Sequence, residues 1–327
     1  MKILLYICLI FAYSQVGLSH YRYPFYGLSD DAGTTPRIDQ IFIGRCSDYQ
    51  ASHTMEHEVD CHELWMTFSS VFANLDPCKV QTAGYDKFIE KSSVPIPQDG
   101  SVFWSGTYDF THSYVKTVGN LYTLEDVLPG YLVNSLTWCG QEKSPGINYE
   151  TCSDPQGCNK NNTYDFWAKM STWFAKSASG SVQVILNAGR DPAFASDSFF
   201  AKFELPNLPH DKVNKIEIIV VHGIDGKDNP KERCGSGSIK ELQSLIEQYN
   251  FAWTCADNPG PIYHHLCTST PDTIRCRSIH GVSRIVLLAA LASGGVLIFI
   301  LAGFIIALLC ERGRATRYLK MAQNVKA

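Results

Sequence analysis

Charge is scarce in this chain: Asp, Glu, Lys and Arg together make up 18% of 327 residues, against roughly 25% in an average soluble protein. Basic and acidic residues nearly balance, 28 against 32, and no Lys/Arg-dense stretch occurs before a short C-terminal tail. That excludes nucleic acid as an expected partner. Several chemistry-bearing motifs are also missing. There is no G-x-x-x-x-G-K-[ST] phosphate loop, no G-x-S-x-G nucleophile elbow and no C-x-x-C pair. Gly235-Ser236-Gly237 lacks the third glycine of a dinucleotide fingerprint and reads as a turn. His57-Glu58 with Cys61 fails as H-E-x-x-H because position 61 is not histidine. With irregular cysteine spacing elsewhere, no metal site is expected. A hydrophobic fraction of 45% excludes a disordered chain.

The two ends hold much of the apolar content. Residues 1–19 combine Lys2, an apolar run from Ile3 to Tyr13 and small residues at Gly17 and Ser19. This is the pattern of a cleaved secretory signal. Residues 20–45 read as an N-terminal lead, and 46–276 as an ectodomain. Ile285 to Cys310 is a 26-residue run without charge. As a helix it would rise about 39 Å, enough to cross a roughly 30 Å hydrocarbon layer with tilt. Residues 311–327 form a polar tail carrying Arg312, Arg314, Arg317 and Lys320, the flank of a stop-transfer helix. The expectation is a type I membrane protein at the cell surface. A lipid anchor attached near Ser278, Gly281 or Ser283 is the alternative, disfavoured by the polar tail.

Of twelve cysteines, Cys8 lies in the signal and Cys310 at the membrane edge. The ten between them suit five disulfides in an oxidising compartment. Asn161-Asn162-Thr163 is an N-glycosylation sequon at Asn161.

Hydrophobic periodicity divides the ectodomain. From Cys46 to about Gly140 the pattern is mostly helical, with helices expected over Cys61–Leu75 and Leu121–Leu136 and an aromatic helix over Tyr164–Ala178. Then the period changes. Ser181–Asn187 and Lys215–His222 are nearly unbroken apolar runs of strand length, as in a parallel sheet covered on both faces. Ser238 to Glu241 reads as a capping box opening a helix to about Tyr249, and Phe251–Cys255 as a further strand. The fold class is α+β or α/β, a helical part followed by one with a short parallel sheet.

Among candidate site residues, Trp104, Glu125, Trp167 and Glu204 stand out. Tryptophans are usually core, and a Glu beside an Asp is usually solvated. Glu204 is different: a carboxylate among Phe199, Phe200, Phe203 and Leu205 needs a reason to be there. His222, at a strand end, reads as structural.

The order of these elements resembles the ADP-ribosyl cyclase family. It is carried by Phe103-Trp104-Ser105, by the run from Thr123-Leu124-Glu125-Asp126 to Trp138-Cys139-Gly140, and by Phe166-Trp167. Val184 to Asn187, Glu204 with Asn207-Leu208, Val221-His222-Gly223 and Ile239 to Leu242 follow in order. The resemblance implies a two-lobed fold with its active site in the cleft between lobes. It also implies disulfides Cys46–Cys61, Cys78–Cys158, Cys139–Cys152, Cys234–Cys255 and Cys267–Cys276. By the same resemblance Glu204 is the catalytic glutamate, and Trp104 and Trp167 line the pocket. Glu125 would contact the nicotinamide amide and Ser105 a phosphate. Asn134 stands where mammalian members carry an acid, and Phe199 where hydrolase-dominant members carry smaller residues.

The implied activity is extracellular cleavage of NAD or NADP to ADP-ribose and nicotinamide, with minor cyclase and base-exchange activity. The dinucleotide is then substrate, and no cofactor is needed. A second copy of the chain and the membrane are the other partners considered. The alternatives are a cyclase-dominant enzyme, a non-catalytic receptor ectodomain on the same scaffold, and an ordinary sugar glycosidase.

Overall fold

The computed structural model describes residues 33–55, 57–152, 162–224 and 229–269, together with Pro271 and Cys276. The expected signal, the sequon at Asn161 and the apolar run 285–310 lie outside the described residues. Among those described, no helix is long and apolar enough to cross a membrane.

In chain order the helices are α1 (Ile38–Ser52), α2 (Cys61–Ser69), α3 (Asp86–Ser92), α4 (Tyr108–Val118), α5 (Leu128–Val133), α6 (Asn162–Ser177), α7 (Gly237–Gln248) and α8 (Gly260–Ser269). The strands are β1 (Val102–Ser105), β2 (Gly180–Asn187), β3 (Val213–Val221) and β4 (Ala252–Asp257). The described residues form two compact units, one drawn from those before 94 and from 131–167, the other from 94–130 and those after 167.

The first unit is helical, built on aromatic packing. Helix α1 buries Ile38, Phe42, Cys46 and Tyr49, the spacing of one helix face. It starts at Ile38, within the segment read from sequence as a lead. Phe68 of α2 stacks on Phe42 at 5.3 Å and meets Trp138 edge-on at 5.2 Å. The Trp138 indole N–H donates to the Tyr85 hydroxyl at 3.0 Å, so the burial of both polar atoms is compensated. Burial pushes the Tyr85 phenol well above its ordinary value. Trp138 is thus a core residue, as the bland reading of a tryptophan holds.

The second unit carries a four-stranded, all-parallel sheet in the order β1-β2-β3-β4. Val184, Ile185, Leu186, Ile218, Val220 and Val221 are buried, as expected of strands covered on both faces. Alternation along β1 sends Val102 and Trp104 toward α4 and α8, where Phe110, Tyr114, Ile262 and Leu266 gather. Phe103, between them, packs against Phe174 of α6 at 5.3 Å and Phe200 at 5.6 Å. Strand β1 had no place in the sequence reading, which took its surroundings as helical. Four residues are too few to show a period, and β1 gains its strand ladder from β2, about 80 residues away.

Two local expectations are corrected. The helix read over Leu121–Leu136 is reduced to Leu128–Val133. Thr123 donates from both its backbone N–H and its hydroxyl to Asp126, at 2.9 and 2.7 Å, making a turn instead. Pro129 cannot donate to a preceding helical turn, so the helix opens beside it. Gly130 is required there: a Cβ would lie 2.0 Å from the Leu124 carbonyl oxygen.

The capping box is also replaced. Helix α7 begins at Gly237, and Ser238 is already inside it. Glu232 instead accepts from the Ser238 N–H at 3.1 Å and its hydroxyl at 2.5 Å, while that hydroxyl accepts from the Phe194 N–H at 2.8 Å. A carboxylate at a helix N-terminus is favourable for both its hydrogen bonds and the helix dipole. Glu232→Gln should lower stability by about 1 kcal/mol, measured by urea unfolding at neutral pH; an unchanged midpoint would show that the cap contributes nothing.

Disulfides join Cys46 to Cys61, Cys139 to Cys152, Cys234 to Cys255 and Cys267 to Cys276. Cys78 is disulfide-bonded; its expected partner, Cys158, lies outside the described residues. This density of disulfides is the chemistry of an oxidising, extracellular compartment.

Candidate active site

Open parallel sheets offer ligands the carboxyl ends of their strands. Trp104 and Ser105 end β1 in the second unit, and both are half-buried. The turn at 123–126 places Glu125 beside them, and the Trp104 indole N–H points to the Glu125 Oε2 atom at 3.4 Å. The Glu125 side chain is 11% exposed.

Glu204 closes a π-helical turn, Phe200–Glu204, followed directly by a 3-10 turn over Leu205–Asn207. Such π-turns are uncommon and often occur at functional positions. Pro206 prevents an ordinary helix from continuing, and the Asn207 amide donates to the Phe203 carbonyl at 2.9 Å to hold the turn. Phe200 anchors it on Phe103, next to Trp104. Glu204 is 7% exposed. Burial pushes its pKa up to about 8; a hydrogen bond with Ser171 of α6 pulls the other way, and the Glu125 charge raises it further. A carboxyl so placed is neutral when alone and ionises readily when a cation arrives, since their attraction grows as the local dielectric falls.

Phe199 sits just before the π-turn, half-buried, with its ring 5.2 Å from Phe203. Five of the residues expected from sequence therefore belong to one unit: Trp104, Ser105, Glu125, Phe199 and Glu204. Trp167 and Asn134 belong to the other. Trp167 is half-buried, edge-on to Phe166 at 5.5 Å. Asn134 offers its backbone carbonyl to Arg45 at 2.8 Å.

Two residues of this neighbourhood stand outside every motif of the sequence. Ser171 belongs to no motif and matters only because α6 delivers its hydroxyl to Glu204. His112 of α4 faces both Glu125 and Asp126; its one legible cue is its place four residues after Tyr108, whose ring it meets edge-on at 4.2 Å. His222 is buried, and its Nε2 pairs with Asp257 at 2.6 Å, in keeping with a structural role. Among the described residues no group of three or more His, Cys, Asp or Glu would hold a metal ion.

A parallel sheet with a buried carboxyl of raised pKa and a tryptophan at one strand end defines an enzyme-like site. Residues 35–276 match the family model of the ADP-ribosyl cyclases. The ADP-ribosyl cyclase/cyclic ADP-ribose hydrolase of Aplysia californica is 36% identical over 249 residues, covering 74% of this chain and 87% of the relative. The crystal structure of Aplysia cyclase complexed with substrate NGD and product cGDPR matches with a TM-score of 0.66 at 36% identity, over 75% of this chain and 98% of that one. Porcine CD38 complexed with a covalent intermediate, ribo-F-ribose-5'-phosphate, matches with a TM-score of 0.64 at 35% identity, over 70% and 99%. The chain belongs to the ADP-ribosyl cyclase family, and is an enzyme of that family.

Proposed function

We propose that the chain is an extracellular glycohydrolase that cleaves the nicotinamide–ribose bond of NAD or NADP, giving ADP-ribose and nicotinamide, with minor cyclisation and base exchange. The observation that carries this reading is the Glu204 carboxyl, buried and close enough to ionisation to answer an incoming pyridinium.

Nicotinamide departs as a neutral amine when the C1'–N bond breaks and its electron pair stays on the ring nitrogen, so no general acid is needed. The barrier lies in the positive charge left on the ribose. An ionised Glu204 beneath C1' stabilises that charge or bonds to it, as the nucleophile of a retaining glycosidase does. Water then adds its oxygen to C1' and gives its proton to solvent. The low dielectric around Glu204 makes its field count for more than it would in water.

Trp104 supplies a flat π-face for the cationic ring, an attraction worth about 0.5–2 kcal/mol. Glu125 addresses the nicotinamide amide, and Ser105 meets a phosphate. The reaction needs no cofactor. The uncharged apolar run 285–310, which lies outside the described residues, is long enough to hold the enzyme on the cell surface. Failure of a phosphatidylinositol-specific lipase to release the protein from cells would support that anchor over a lipid one.

Phe199 favours a second reading. A bulky ring before the π-turn would fold the adenine toward the ribose and let it replace water, making the enzyme cyclase-dominant. Chromatography of the products formed from NAD by the full chain decides the matter. ADP-ribose in excess over cyclic ADP-ribose is expected. The opposite ratio establishes the second reading, and no nicotinamide release removes both.

A further inference from the structure

His112 has no part in the reading above, yet its ring is set against Glu125. It lies in the middle of α4 with its side chain 18% exposed. Its Nε2 is 3.8 Å from Glu125 Oε2; its Nδ1 is 3.6 Å from Asp126 Oδ1 and 3.4 Å from the Thr123 hydroxyl. Tyr108 meets it edge-on, and Trp104 does so at 6.1 Å.

The two acids beside it are held differently. Asp126 is also fixed by the backbone and hydroxyl of Thr123. Glu125, by contrast, meets the Trp104 N–H and the His112 ring. The groups facing the imidazole are Glu125, Asp126 and Thr123 from the turn, Asp109 and Tyr108 from its own helix, and Trp104 from β1. No second cation stands among them. Burial disfavours the imidazolium, but Asp126, Glu125 and Asp109 together outweigh it and hold the pKa above its ordinary value. The Asp126 carboxyl is correspondingly low, its burial overcome by His112 and Thr123.

We infer that His112 is a positioning residue for Glu125: its imidazolium holds the Glu125 carboxylate against Trp104 and balances the negative charge next to Glu204. This rests on the reading that Glu125 and Glu204 serve NAD cleavage. The consequence reaches further than local packing. Glu125 already makes Glu204 harder to ionise, and without the His112 cation more of that negative field falls on Glu204. The orientation of Glu125 is loosened at the same time, and with it the placing of the bound dinucleotide, which decides whether water or the adenine reaches C1'.

The test compares the full-length wild-type chain with His112→Gln, measuring kcat/KM for NAD against pH and the ratio of cyclic to linear product. The variant should move the acid limb of kcat/KM upward by about half a pH unit or more, and change the product ratio at least about twofold. A limb and a ratio both equal to wild type would overturn the inference. If that substitution does not fold, His112→Asn, which also removes the cation and keeps a polar group near the Thr123 hydroxyl, is read in the same way. Glu204→Gln, run in parallel, separates the two levels. Turnover surviving there takes down the proposed function and this inference with it. A dead Glu204 variant beside silent His112 variants takes down this inference alone.

Discussion

Glu204→Gln should slow nicotinamide release from NAD by at least about a thousandfold in kcat, with a much smaller change in KM. The substitution keeps the size and hydrogen-bonding capacity of the side chain, so the π-turn, Ser171 and Phe200 retain their partners. What it removes is the capacity to become an anion. A factor of a thousand corresponds to about 4 kcal/mol of transition-state stabilisation, the order seen when one preorganised electrostatic group is deleted. The charge is needed only as C1' becomes cationic, so binding of the dinucleotide should be largely spared. That split is the signature of an interaction made in the transition state rather than in the ground state. Release of a fluorescent etheno-NAD product from matched wild-type and variant proteins measures it. Turnover within tenfold of wild type would remove Glu204 from the mechanism.

The same carboxyl predicts opposite pH trends for catalysis and for stability. In the free enzyme its pKa is raised from 4.5 to about 8, chiefly by burial. Cleavage needs the ionised form, so kcat/KM should fall roughly tenfold for each pH unit below about 8. The kcat profile should be flatter, because bound NAD brings a pyridinium that draws the carboxyl's pKa down again.

For stability the sign is reversed. Between pH 4.5 and about 8 the folded protein holds a proton that the unfolded chain has lost. The stability that proton confers is fully present below pH 4.5 and disappears as pH rises through about 8. At about 1.4 kcal/mol per pH unit, the contribution is on the order of a few kcal/mol. Glu204→Gln should therefore melt higher than wild type at pH 8, by several degrees for a domain of this size, with the gap closing toward pH 4.5. His112, also raised, follows the same direction in both proteins and cancels from the comparison. A variant that melts lower than wild type at pH 8 would contradict the assignment of a buried, costly charge. A residue that both weakens the fold and is needed for turnover is what a stability–activity trade-off looks like at one position.

Much of this protein was legible before any coordinates. The nearly unbroken apolar runs Ser181–Asn187 and Lys215–His222 indicate buried parallel strands, because such strands have little solvent face to make polar. Ten cysteines between two apolar ends announced an oxidised domain, and the four disulfides among the described residues pair as the family resemblance implied. Glu204 was visible as an acid among phenylalanines, a placement costly enough to require a reason.

What sequence alone did not determine depended on partners distant along the chain. Strand β1 is four residues with no period of their own, completed only when Trp104 pairs in register with Ile185. The cap of α7 moved from Ser238 and Glu241 to Glu232, because a left-handed Gly237 brought that carboxylate over the helix end. Ser171 and His112 lie in no motif, and their chemistry exists only because two helices deliver them to Glu204 and to the Glu125–Asp126 turn. The amino-acid order by itself determined which segments are apolar, which cysteines are oxidised and which acid is out of place, since these follow from local composition. Which neighbours shift the charge of that acid was decided only by tertiary structure, because electrostatic effects depend on distance in space and on the water excluded between the groups.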